Sequence, residues 1–156
     1  MQVSNETIEK IKEWEGFSAK PYLCPSGKMT IGHGHTKNVV ETDRVTKEKA
    51  DELLRQDLKP IEKFLNTVSE KYTPLQQHQF DALASLIFNI GLGAFQRSTL
   101  LKHILNHAKD YLIRMAWLCW CKARGKGGEK ITVEGLERRR KWECSLYLEE
   151  EPHTSI

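Results

Sequence analysis

No apolar run in this chain is long enough to cross a bilayer. The nearest candidate, "LIRMAWLCWC" at 112–121, is short and contains Arg114. A basic start followed by an apolar stretch is also missing: "MQVSNETIEKIKEWEG" is polar, so the sequence predicts no secretory leader. Residence in the cytosol where it is made, without stable membrane insertion, is the expectation. Charge of one sign is not in large excess, since Lys+Arg 24 against Asp+Glu 21 leaves +3 and a pI near 8.6. That mild balance suits approach to an anionic polymer but lacks the dense basic field of nucleic-acid binders, so nucleic acid is not an expected partner. Internal repeats and low-complexity segments do not occur. At 156 residues, 39% hydrophobic and 29% charged, the chain can bury the core of one domain and has little room for two.

Cysteine is scarce: Cys24, Cys119, Cys121 and Cys144. Without an export signal, reduced thiols are the default. Cys119 and Cys121 stand two apart in a predicted helix, on different faces, and do not pair with each other. With Cys144 they read as small buried hydrophobes.

Hydrophobic spacing gives the elements. Ser4 or Asn5 caps a first helix that turns Ile8, Ile11 and Trp14 inward, and Gly16 ends it. "PYLCPSGKMTIGHGHT" has β-friendly pieces around a Pro-Ser-Gly-Lys turn and predicts a hairpin. From Thr46, Ala50, Leu53, Leu54, Leu58, Ile61, Phe64, Leu65 and Val68 recur at helical steps, with Pro60 expected to bend or interrupt the helix. "TPLQ" at 73–76 predicts a cap at Thr73, and the helix after it breaks at "NIGLGAF". Ser98 or Thr99 opens another helix. An apolar helix near 112–120 is expected at the centre, followed by a loop at 123–130, a last helix through "GLERRRKWECSLY" and a fraying tail at 149–156. The predicted class is α+β, mainly α. A small lobe at about 15–60 carries the hairpin, and a long helix joins it to a helical lobe at about 61–148 that includes the N-terminal helix.

One constellation stands out. Glu15 is followed after eight residues by Cys24, and after five more by Thr30, which leads into "IGHGH". With Gly16, Tyr22 and Thr30-Ile31-Gly32-His33-Gly34-His35, this pattern resembles the phage-type lysozymes, or endolysins, of glycoside hydrolase family 24, with Cys24 where many relatives have Asp. "LIFNIGLGAFQRSTLL" (86–101) and "GLERRRKWECSLY" (135–147) resemble later segments of the same family. The resemblance implies a lysozyme-like two-lobed fold. It also implies a muramidase that cuts the β-1,4 bond between N-acetylmuramic acid and N-acetylglucosamine, with no cofactor and no metal.

Breaking that bond needs a proton on the leaving oxygen and an attacking group on the other face of the sugar. Glu15, the only acid of the motif, becomes the general acid, and partial burial between lobes helps such an acid keep its proton. The resemblance gives Thr30 the attacking water. Cys24 is a poorer base than Asp while neutral and a good nucleophile once ionised. Water-mediated inversion and thiolate attack with retention both stay open.

His33 and His35, with Cys24 across the turn, raise a zinc amidase as a rival, but an HExxH-type spacing is missing. His33 is expected to border the cleft and His35 to be structural. The resemblance brings an arginine of the last helix (Arg138, Arg139 or Arg140) to the acid or the saccharide, and Arg139 and Arg140 are taken as substrate-binding candidates. Asn89 is the candidate on the opposite wall. A catalytically impaired peptidoglycan-binding module is the other alternative. Peptidoglycan as substrate, a monomeric state, and release to the wall through a holin lesion complete what the resemblance implies.

Overall fold

The computed structural model describes residues 1–124 and 130–150. Helix α1 (Asn5–Glu15) opens at Ser4, whose hydroxyl accepts from the Thr7 amide, and closes at Gly16 with φ 73°. That left-handed turn is one glycine takes without a Cβ penalty. It redirects the chain into the antiparallel pair β1 (Ser18–Leu23) and β2 (Met29–Gly32), where Tyr22 pairs with Thr30 and Leu23 with Met29. Between the strands the Cys24 amide donates to the Lys28 carbonyl at 3.0 Å, and the Gly27 amide donates to the Cys24 carbonyl at 2.8 Å.

Helix α2 (Lys47–Lys71) begins at a Thr46 cap and runs 25 residues. It continues through Pro60 rather than being interrupted there. Its buried stripe of Ala50, Leu54, Leu58, Ile61, Leu65 and Val68 holds it in place, and this packing outweighs the one ladder hydrogen bond proline cannot make. The helix links the hairpin side of the molecule to the helical lobe, as the periodicity predicts.

The start of α3 (Gln77–Ile90) corrects the expected cap. Thr73 returns its amide to the Val68 carbonyl at 3.0 Å, and the Leu75 amide donates to Ser69 Oγ at 2.9 Å. The segment thus folds back on the end of α2, and the capping residue is Gln76, whose amide donates to Gln79 Oε1 at 2.9 Å. Every residue from Phe80 to Ile87 is buried, so α3 is the central helix. It packs against α2, α1 and the last helix.

Gly91 ends α3, and the short α4 (Leu92–Gln96) and α5 (Thr99–Leu105, capped by Ser98) follow. Helix α6 (Asp110–Leu118) is not the centre expected from its apolar sequence. Only Ile113 and Trp117 are buried, while Tyr111 and Met115 are exposed. A 3-10 turn (Cys119–Cys121) leads to a second antiparallel pair, β3 (Lys122–Arg124) and β4 (Lys130–Thr132), where a loop was expected. The interior of that loop and the tail beyond residue 150 lie outside the described residues. Helix α7 (Glu134–Leu148) completes the chain. All four cysteines are free thiols. Cys121 and Cys144 are buried as expected, whereas Cys119 at the 3-10 turn is exposed.

The N-terminus is fastened to α3 by Asp81, which is 4% exposed. Its carboxylate accepts from the Ser4 amide (3.0 Å), Ser4 Oγ (2.5 Å), Thr7 Oγ1 (3.1 Å) and Gln77 Nε2 (2.8 Å). Asp81→Ala strips four donors of their acceptor at once, and the expected loss is about 3 kcal/mol in urea-induced unfolding. An unchanged midpoint and slope would show that α1 does not depend on this anchor.

Candidate active site

Helix α7 supplies the floor. Arg139 and Arg140 sit four and three residues before Glu143, so both guanidiniums reach the same carboxylate. Arg140 Nε lies 2.8 Å from Glu143 Oε1, and Arg139 Nε lies 3.3 Å from Glu143 Oε2. Ser85 Oγ and Trp117 Nε1 donate to the remaining positions at 2.5 and 3.2 Å. All these groups are buried, Arg140 and Glu143 completely. Burial raises the pKa of Glu143, and the charges of Arg140 and Arg139 oppose that rise. Burial also brings Arg140 down to about 10, against the attraction of Glu143.

Arg139 turns its outer edge toward Glu15. Its Nη2 donates to the Ser85 carbonyl at 3.1 Å and its Nη1 to Glu15 Oε1 at 2.7 Å. One guanidinium therefore ties the end of α1 to α3 and α7, and the Glu15 side chain stays 18% exposed. Gly34 walls the other oxygen. A Cβ built there would lie 2.9 Å from Glu15 Oε2 and 3.3 Å from the Phe88 ring, and its φ is +78°. His33 Nδ1 is 2.6 Å from the Gly16 carbonyl, and its ring packs on Phe17. The Glu15 carboxyl is thus held by Arg139 and walled by Gly34, while His33 fixes the turn that follows it.

Cys24 occupies the hairpin turn. Its Sγ lies 2.8 Å from Ser26 Oγ. Thr30 is 2% exposed, and its hydroxyl donates to the Lys28 carbonyl at 3.0 Å while also neighbouring the thiol. Hydrogen bonding from Ser26, then Thr30, then the backbone amides of Lys28 and Ser26 lowers the Cys24 thiol to about 7, against some desolvation. Tyr22 is raised first by burial and then by the charges of Glu15 and Cys24.

The motif residues Glu15, Cys24 and Thr30 therefore gather around the hairpin, and Arg139 joins them. Arg140 does not. It is a fully buried partner of Glu143, so it corrects the expectation of a substrate contact, and Arg138 is an exposed partner of Glu134. His33 is 8% exposed, with its Nδ1 on the Gly16 carbonyl. His35 is held by Asp57 (2.8 Å) and the Lys37 carbonyl (2.9 Å). Both imidazoles thus serve protein partners, and they point to different ones. Asn89 is exposed in the last turn of α3, one residue after Phe88.

Ser26, Ser85 and Trp117 were missed by the sequence reading, and Gly34 and Glu143 stood inside its motifs without a role. Only the Arg139-Arg140-Glu143 spacing offered a signal. For Gly34→Ala the added methyl meets Glu15 in a left-handed backbone, and about 1–3 kcal/mol of stability should be lost. Denaturant unfolding checks this, and an unchanged stability would mean that the acid has room to move.

The phage lysozyme family profile matches residues 12–143. An endolysin of Acyrthosiphon pisum secondary endosymbiont phage 1 is 39% identical, over 94% of this chain and 98% of its own. The endolysin of Salmonella phage P22 is 40% identical, over 95% of this chain and 99% of its own. Among solved structures, the muramidase domain of SpmX from Asticaccaulis excentricus superposes with a TM-score of 0.83 at 38% identity, covering 97% of this chain and 99% of that one. The match at residues 12–143 takes in the end of α1, the hairpin and most of α7, and so both Glu15 and Arg139, and the chain belongs to the phage lysozyme family.

Proposed function

We propose that this protein is an endolysin muramidase that hydrolyses the β-1,4 bond between N-acetylmuramic acid and N-acetylglucosamine in peptidoglycan and so lyses bacterial cells. The observation that carries the proposal is the half-buried Glu15 carboxyl, held by Arg139 at 2.7 Å beside the hairpin that bears Cys24 and Thr30.

Glu15 donates the proton to the leaving glycosidic oxygen. Cys24, as a thiolate, accepts a proton from the attacking water and balances the positive charge that develops at the anomeric carbon. Thr30 keeps thiolate and water in register through its hydroxyl. Asn89 meets saccharide from the end of α3. The donors around Cys24 support water attack over thiolate attack, because an anion stabilised by hydrogen bonds is a weaker nucleophile. The first product then has inverted anomeric configuration.

Zinc amidase chemistry is disfavoured by the commitment of His33 to Gly16 and of His35 to Asp57 and Lys37. Among the described residues, no helix is long and apolar enough to cross a membrane. Release to the wall through a holin lesion and action as a monomer complete the proposal.

Glu15→Gln should lower the release of reducing ends from purified peptidoglycan by about 10²–10⁴-fold while the unfolding midpoint is kept. Activity near wild type in that variant would end the assignment of the acid. NMR of the first product formed from a soluble glycan should show inversion, and retention or a mass adduct on Cys24 would put the thiolate in the attacking role.

A further inference from the structure

Resting on the reading above, which makes Cys24 the partner of Glu15, we propose that Ser26 is a positioning residue that holds Cys24 as a thiolate in a nest of hydrogen-bond donors. The hairpin turn thereby supplies the negative charge that a carboxylate would otherwise bring to this position.

The turn is built for that purpose from its own backbone. The Cys24 amide donates to the Lys28 carbonyl and the Gly27 amide to the Cys24 carbonyl, and Gly27 has φ 84°. These bonds curl residues 24–28 around the sulfur. Ser26 Oγ comes to 2.8 Å from Sγ, and the backbone amides of Ser26 and Lys28 turn toward it. Thr30, opposite Tyr22 in the register, closes the turn from β2 by donating its hydroxyl proton to the Lys28 carbonyl at 3.0 Å.

Donors around a sulfur stabilise the anion far more than the neutral thiol, which needs at most one acceptor. Ser26 comes within 2.8 Å and is the largest influence. The titratable groups facing the sulfur are the Tyr22 phenol on β1 and, beyond it, the Glu15 carboxyl at the end of α1. The Tyr22 phenol, raised and so uncharged at neutral pH, sets no like charge against the thiolate. Lys20 and Lys28, the lysines of the hairpin, are exposed. The low position of the thiol, about 7, agrees with this arrangement.

Ser26→Ala removes the hydroxyl from an exposed turn without touching the core. The midpoint of Cys24 alkylation by iodoacetamide, followed against pH by mass spectrometry of the Cys24 peptide, should rise by about one pH unit toward the ordinary thiol value. Ser26→Thr, which keeps the hydroxyl, should restore it. The acid limb of peptidoglycan hydrolysis should move by the same amount, with about a five-fold loss at pH 7. In a Cys24→Asp background, Ser26→Ala should leave that acid limb in place.

An unchanged alkylation midpoint in Ser26→Ala overturns the nest. A shifted midpoint with an unmoved hydrolysis profile overturns instead the part given to Cys24 in the reaction, and with it the part of Ser26. The alkylation readout does not depend on hydrolysis, so the two failures separate.

Discussion

The Arg139–Glu15 ion pair is the contact on which the rest of the site depends. A carboxyl at the end of a helix is ordinarily a solvated, wandering group. Here a guanidinium that is itself immobilised fixes it, since Arg139 is held by Ser85 and Glu143 before it reaches Glu15. Burying two arginines against a single glutamate is costly in desolvation, and the network tolerates this because nearly every lone pair of Glu143 is spoken for. Glu15 completes the charge balance: two guanidiniums face two carboxylates.

This arrangement divides the labour between two kinds of structure. The acid is set by the core, through α3 and α7. The opposing thiol is set by a five-residue turn whose geometry comes from local backbone hydrogen bonds and one left-handed glycine. The first depends on long-range packing and the second on nothing beyond the hairpin. Replacing a carboxylate by a thiol in such a turn needs only hydroxyls and amides close by, which a short Ser-Gly turn provides.

Much of this was legible in the residues. Helix α2 announced itself by periodicity, and the hairpin by Pro-Ser-Gly-Lys, because both follow from local sequence. Glu15, Cys24 and Thr30 were recognisable by their spacing. What was not legible came from packing across the chain. Arg138, Arg139 and Arg140 are indistinguishable as letters, and only the rotation of α7 buries two of them and exposes the third. Helix α6 was expected at the centre from its apolar run, yet α3 is central, with Asp81 and Ser85 tolerated inside because both find buried partners. Thr73 has every mark of a cap, but the backbone's return to Val68 moved the helix start to Gln76.

The ion pair joins residues separated by 124 positions in the chain. Its two ends leave the ribosome at very different times. While the chain is growing, Glu15 has no guanidinium to receive it, and the hairpin alone cannot place the carboxyl. The site comes into being only when the closing helix docks, so a shortened or stalled chain ending before α7 has the motif without the site. A protein meant to attack its host's wall is thus assembled with its decisive contact made last.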